Sequence, residues 1–72
     1  MDLLTPRELQ IVRLIAEGLT GKEVGARLGI GESTVETHVE HIRTKLEARS
    51  RPHLVAKAIG MGLIPSGVEQ ES

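Results

Sequence analysis

The residues of this sequence that could do chemistry are three histidines and two neighbouring glutamates. Glu36 and Glu40 are spaced to share one face of a helix, and His38, His41 and His53 are of a type that could bind a metal. His38 and His41 point to different sides of that helix, and no further ligand closes a zinc site. We therefore expect no metal site. Two carboxylates on an exposed face do not form a catalytic pair, so we expect no enzyme.

Length and composition narrow the class of protein. The chain has 72 residues, 39% of them apolar, which suffices for one small core but not for a cleft between two lobes. It contains no cysteine, so packing must stabilise it, and it has no apolar run of membrane-spanning length. We expect one soluble, cytoplasmic domain with no cofactor and no membrane partner.

The charge of the chain is nearly balanced, with nine basic and ten acidic residues. Leaving out residues 1–2 and 66–72 removes three acids and leaves the central part at +2. Residues 66–72 are small, polar and acidic, which predicts a disordered tail beyond a domain at 1–65. The absence of Phe, Tyr and Trp disfavours binding of single-stranded nucleic acid by base stacking.

Helix-start signals of one format occur twice, at residues 4–9 and 19–24. In each, a hydrophobic residue precedes a threonine, and a glutamate and a second hydrophobic residue follow it. The threonine can accept a hydrogen bond from the N–H of the glutamate, which can reach back to the threonine N–H, as in a capping box. A weaker start, with Gly31 at the cap, follows at residues 30–35, and Ser50 caps a fourth helix.

These signals and the apolar periodicity predict four helices, at about 6–17, 21–28, 32–47 and 51–62. Gly18 and Gly29 are expected to end the first two helices in the left-handed conformation. The predicted buried stripes are Leu9, Val12, Ile15 and Ala16 in the first helix, and Val35, Val39, Ile42 and Leu46 in the third.

The connection between the second and third helices carries the architectural prediction. Only Gly29, Ile30 and Gly31 are available for it, and so short a turn forces the helices to cross steeply. Gly25 provides a position without a side chain where the third helix must approach. An ordinary helical hairpin, the alternative, would need neither the bend nor this small residue. We therefore predict an all-α four-helix bundle with a helix-turn-helix at residues 20–47.

With these features the chain resembles the DNA-binding domain of LuxR-type (GerE-like) regulators, which is the output domain of many response regulators. The likeness extends from about Leu3 to Ile64 and is carried by residues 4–8, 15–24, 33–39, 45–46, 49–51, 54–56 and 62–64. It implies that the third helix enters the major groove of double-stranded DNA and that the fourth helix pairs with its twin in a homodimer on an inverted repeat. RNA polymerase and an upstream regulatory domain are further partners that it allows.

The resemblance also assigns roles to individual residues. Base reading falls to Glu36, Thr37 and Glu40. Helical periodicity places these residues on the face opposite the buried stripe together with Ser33, which we add to the base-reading set. Phosphate binding falls to Thr20, Lys22, Thr34, Lys45, Ser50 and Arg51. His41, which points toward the same face of the third helix, is a further candidate for contact with a phosphate. Dimerisation falls to Leu54, Val55, Ala58, Ile59 and Met61, although these side chains could instead pack into the domain's own core.

The sequence departs from the family at Glu36 and Glu40, where relatives commonly carry a basic or neutral residue. A glutamate can accept a hydrogen bond from cytosine N4, so an acid here can narrow the choice of DNA sequence. It also faces phosphates and lowers nonspecific affinity. An alternative is a protein-interaction or dimerisation module on the same fold, with weak or lost DNA binding.

Overall fold

The computed structural model describes residues 4–65, which form four α-helices and, within that range, no β-strand. They are α1 (Pro6–Ala16), α2 (Gly21–Leu28), α3 (Glu32–Leu46) and α4 (Arg51–Gly60). The predicted all-α fold is confirmed. The predicted acidic tail at 66–72 lies outside the described residues.

The first two helices begin with the predicted capping boxes. Thr5 Oγ1 accepts from the N–H of Glu8 at 3.1 Å, and Glu8 Oε1 accepts from the N–H of Thr5 at 2.9 Å. Thr20 and Glu23 make the same reciprocal pair at 3.2 and 2.9 Å. Gly31 starts α3 without a side-chain cap, as expected for a residue that has no side-chain oxygen.

The start of α4 uses a histidine where the starts of α1 and α2 use a glutamate. Ser50 Oγ accepts from the N–H of His53 at 3.3 Å, which confirms the predicted cap. His53 Nδ1 in turn accepts from the N–H of Arg49 at 3.0 Å. This imidazole therefore satisfies a backbone donor ahead of the helix, where such donors have no partner within the helix itself.

The predicted left-handed glycines after α1 and α2 are confirmed, since Gly18 and Gly29 have φ angles of 100° and 73°. The predicted last residues of α1 and α3 were one residue too late and that of α4 was two too late, since these helices stop at 16, 46 and 60. α3 ends at Leu46 because Glu47 takes the left-handed conformation, with φ 56°, which non-glycine residues seldom adopt.

The core lies where the four helices meet, and α3 packs against all three others. Its predicted stripe is confirmed. The stripe predicted for α1 was partly wrong: Ile11 is fully buried and Ala16 is exposed, because α1 also faces three helices and not one. The buried apolar residues are Leu4, Ile11, Val12, Val24, Val35, Val39, Ile42, Leu46, Ala48, Leu54, Ala58 and Ile64.

The turn between α2 and α3 closes directly over Gly25. The N–H of Ile30 donates to Gly25 O at 2.9 Å, and the left-handed Gly29 allows the chain to fold back for this bond. A β-carbon at Gly25 would lie 2.6 Å from Ile30 O and 3.4 Å from the carbonyl carbon of Gly31. Backbone atoms cannot move aside as a flexible side chain can, so the structure confirms that this position must lack a side chain.

We expect Gly25→Ala to destabilise the domain by about 2 kcal/mol, because the added methyl group meets backbone atoms in a packed site. Gly60→Ala is the matched control, since a β-carbon there has nothing within 4 Å and alanine favours the helix. Urea unfolding followed by circular dichroism measures both, because the chain has no Trp or Tyr for fluorescence. Equal stability of the two variants would contradict the proposed close approach.

Candidate nucleic-acid interface

The side of α3 that faces away from the core is polar and open to solvent. Its exposed residues are Ser33, Thr34, Glu36, Thr37, Glu40, His41 and Thr44. Thr37 Oγ1 donates to Ser33 O at 3.1 Å, so the hydroxyl hydrogen is used within the helix and its oxygen can still accept. The structure thus brings all four predicted base-reading residues to one exposed face.

Glu40, on this face, is held by an arginine of the same helix. Arg43 Nε and Nη2 donate to its two carboxylate oxygens at 3.0 and 2.6 Å, and Arg43 Nη1 donates to Ala48 O at 2.9 Å. The hydrogen bond from Arg43 lowers the pKa of Glu40 against a smaller effect of desolvation, and the charges of Arg43 and His41 lower it further. The same pair raises the pKa of Arg43. Arg43 was not among the predicted site residues, although its spacing from Glu40 is that of neighbours on a helix.

Glu36 pairs with a residue of another helix. Arg51 Nη2 donates to its two carboxylate oxygens at 2.6 and 2.7 Å and so links α3 to the first residue of α4. The carboxylate also lies against Gly21, the first residue of α2, in the space that a β-carbon there would take. The starts of α2 and α4 therefore converge on Glu36. The side chains of Arg51 and Glu36 are 35% and 47% exposed, so this ion pair contributes about 1 kcal/mol at most to stability.

Lys45, which is predicted to bind phosphate, contacts a buried carboxylate in the unbound domain. Its Nζ lies 2.7 Å from Glu8 Oε1 and joins the end of α3 to the start of α1. Burial raises the pKa of Glu8, but hydrogen bonds from Lys45 and the Thr5 N–H, together with the charge of Lys45, outweigh it and leave the pKa below its ordinary 4.5. Lys45 keeps further N–H donors, because an ammonium group has several and this contact uses one.

Four of the other predicted phosphate ligands lie at the two converging helix starts, while Thr34 and His41 lie on α3. Thr20 and Ser50 are the caps of α2 and α4, and their hydroxyl oxygens accept from the backbone N–H groups of these helices. Such a cap leaves the hydroxyl hydrogen available as a donor. Lys22 is exposed in the first turn of α2. Of these two helix starts, Arg51 and Gly21 contact Glu36 on the exposed face of α3.

The predicted dimerisation residues divide into two groups. Leu54 and Ala58 are fully buried in the domain's own core, so their assignment to a dimer surface is corrected: the turn of α4 that carries them faces α1 and α3. Val55 and Ile59 are half-buried, and Met61 is 51% exposed. Only these three remain on the surface of the domain.

The three histidines occupy different places in the fold. His53 accepts from the N–H of Arg49 ahead of α4, His41 is exposed on α3 and His38 is half-buried beside the core stripe. Within residues 4–65, no three His, Asp or Glu side chains are grouped to hold a metal ion. No helix in the same range is both long and apolar enough to span a membrane.

A short turn closed over a glycine, followed by a helix with one buried and one polar exposed side, defines a helix-turn-helix domain, a class of DNA-binding module. The model of the family described as bacterial regulatory proteins, luxR family, matches residues 2–58. The chain belongs to this family. It is therefore the DNA-binding domain of a LuxR-type transcription regulator, and this family is not a class of enzymes.

Known relatives share this domain as part of longer proteins. The nitrate/nitrite response regulator protein NarL of Escherichia coli K12 is 52% identical over 51 residues, which cover 71% of this chain and 24% of NarL. The oxygen regulatory protein NreC of Staphylococcus aureus JH9 is 44% identical over 62 residues, covering 86% of this chain and 29% of NreC. The solved structure of the transcription factor GerE superposes with a TM-score of 0.83 at 28% identity, covering 88% of this chain and 94% of GerE.

We expect Glu8→Gln to lower the free energy of unfolding at pH 7 by about 1 kcal/mol, because glutamine keeps the cap but loses the charged bond to Lys45. The pKa of Glu8 is lowered in the folded state, so this contribution is complete above the ordinary value and is lost as the pH falls through the folded value. The free energies of unfolding of wild type and Glu8→Gln should therefore converge as the pH falls from about 5 to about 3.

Urea unfolding at several pH values measures this difference. Lys45→Gln should reproduce the loss at neutral pH, and the double variant should be no less stable than the less stable single variant. A difference between wild type and Glu8→Gln that stays constant with pH would contradict the role of the ion pair.

Proposed function

We propose that this domain binds a specific sequence of double-stranded DNA and so regulates transcription, with α3 lying in the major groove. The observation that supports this most directly is the uninterrupted polar face of α3, backed by a fully packed stripe that fixes its direction. An α-helix fits the major groove, where each base pair presents a distinct pattern of donors and acceptors.

Ser33, Glu36, Thr37 and Glu40 are the residues we propose to read base edges. The threonine methyl group can contact a thymine methyl, and a carboxylate can accept from cytosine N4. Two acids near DNA phosphates would ordinarily weaken binding. Here Arg51 and Arg43 lie directly against them and offset their charge. This pairing favours DNA binding over the alternative of a protein-interaction module with a bare acidic face.

Phosphate binding is proposed for the residues that border α3. Lys22 and Thr20 lie at the start of α2, where the helix dipole and the unpaired N–H groups attract anions. Ser50 and Arg51 lie at the start of α4, which attracts anions in the same way. Thr34, His41 and Lys45 on α3 complete the proposed set, which would fix the orientation of the helix in the groove.

Two copies of the domain are proposed to pair through α4 and so to bind the two halves of an inverted repeat. Val55, Ile59 and Met61 supply the apolar surface, while Leu54 and Ala58 hold the same helix in the core. An interface this small is weak without further support, so we expect the dimer on DNA.

The relatives suggest a setting for this dimer in a longer regulator. NarL is named a response regulator, and this domain covers less than a third of NarL or NreC. We propose that it is likewise the output domain of a cytoplasmic regulator, whose upstream domain controls dimerisation and which acts on RNA polymerase.

Selection from randomised duplexes tests sequence-specific binding. We expect one sequence to be enriched, and Lys22→Ala to weaken binding to all duplexes alike, with the slope of log affinity on log salt falling by about one. Arg13→Ala, an equal change of charge on the exposed side of α1, is the control and should have little effect. If no duplex is enriched at any salt concentration and Lys22→Ala behaves as wild type, the interaction-module alternative gains support.

Fluorescence anisotropy with a selected inverted repeat and with a single half-site tests the proposed dimer. Met61→Glu and Val55→Glu should weaken binding to the repeat and leave binding to the half-site unchanged, because a buried carboxylate opposes pairing of the two α4 helices. Circular dichroism melting checks that both variants fold. Unchanged affinity for the repeat would show that α4 does not mediate pairing.

A further inference from the structure

Arg51 is a proposed phosphate ligand, yet in the unbound domain it holds a carboxylate of its own chain. Both oxygens of Glu36 lie within hydrogen-bond distance of Arg51 Nη2, at 2.6 and 2.7 Å. A guanidinium binds carboxylates and phosphates through the same planar donors. Glu36 thus occupies the kind of position on Arg51 that a DNA phosphate would take.

The same carboxylate also lies against the start of α2. Its Oε2 fills the space beside the Cα of Gly21, and Arg51 Nη2 lies 3.7 Å from the position of a β-carbon there. The start of a helix attracts anions, including phosphates. The Glu36 carboxylate therefore lies between Arg51 and the start of α2, and we propose that both of these contact DNA.

An external anion can replace the Glu36 carboxylate as the partner of Arg51. Arg51 and Glu36 are 35% and 47% exposed, and an ion pair so open to water is weak. Both hydrogen bonds use Nη2 alone, so an approaching phosphate can first reach other donors of Arg51. The neighbouring Glu40 differs, because its partner Arg43 is also anchored to Ala48 O at 2.9 Å.

We propose that Glu36 is an internal competitor for DNA phosphate, and that binding exchanges its carboxylate on Arg51 for a phosphate group. The exchange turns Glu36 towards the base edges. There a cytosine N4 amino group satisfies the carboxylate, whereas guanine and thymine present only acceptors that leave it unpaired, and adenine places the acceptor N7 beside its N6 donor. Glu36 thereby links a phosphate contact to the identity of one base pair. This inference rests on the proposed DNA binding.

A double-mutant cycle measures the exchange directly. Anisotropy titrations with an unselected duplex compare wild type, Glu36→Gln, Arg51→Gln and the double variant. Glu36→Gln removes both repulsion from phosphates and competition for Arg51, whereas in the Arg51→Gln background it removes repulsion alone. Because an exposed ion pair is worth up to about a fivefold change in affinity, we expect Glu36→Gln to tighten binding about threefold to fivefold more when Arg51 is present.

Glu40→Gln provides the matched control on the same face of α3. It removes an equal charge one helical turn away, but its partner is Arg43, so its effect on affinity should be the same with Arg51 or with Arg51→Gln. The variants change exposed or half-exposed side chains, and circular dichroism melting verifies that they fold.

Gly21→Ala tests the competition without changing any charge. The new methyl group takes the place of the Glu36 carboxylate, which must move, and a flexible side chain can do so readily. We expect binding to the unselected duplex to tighten about twofold, whereas Gly60→Ala, with open space around it, should match wild type.

The outcomes separate this inference from the proposed function. If wild type binds a selected duplex but the cycle shows equal gains in both backgrounds, or a smaller gain with Arg51 present, the pair persists in the complex and the exchange is refuted. If Glu36→Gln also loses preference for a C·G pair at one position, the link to base identity is supported. If neither wild type nor any variant binds any duplex, the proposed function and the exchange both fail.

Discussion

The close approach of the turn backbone to α2 fixes the rest of the structure. With Gly25 and Ile30 joined by a hydrogen bond at 2.9 Å, α3 can begin at Glu32 and pack directly beside α2. Val35 then enters the core with no exposed surface. Once Val35 is inside, helical periodicity sends the polar residues of α3 outward. The direction of the candidate interface thus follows from the absence of one side chain on the preceding helix.

Features that depend on a few consecutive residues could be predicted from the sequence. The capping boxes, the cap at Ser50 and the left-handed Gly18 and Gly29 are of this kind, and all are present. The α1 stripe failed at Ile11 and Ala16 because burial there depends on three neighbouring helices. The left-handed conformation of Glu47 could not be predicted either, because no pattern in the neighbouring residues indicates it.

The ion pairs show where prediction of the site stops. Glu40 and Arg43 are three residues apart, and their contact could have been expected from helical spacing. Glu8 and Lys45 are 37 positions apart, and Glu36 and Arg51 are 15 apart. Only the packing of the helices brings such residues together. The exposed face was therefore predictable as a list of residues, while the partners that set its charge were not.

The arginine partners of Glu36 and Glu40 change how the nearly neutral net charge of this domain affects its binding to DNA. A bare acidic face would repel DNA over about the Debye length, roughly 8 Å at physiological salt. An acid held by an arginine at 2.6 Å presents mainly a dipole, whose field falls off faster than that of a single charge. The attraction of Lys22 and the helix starts can then act on phosphates at short range. A regulator must discriminate its site from a great excess of other DNA, so weak nonspecific attraction can be an advantage when base contacts supply the remaining affinity.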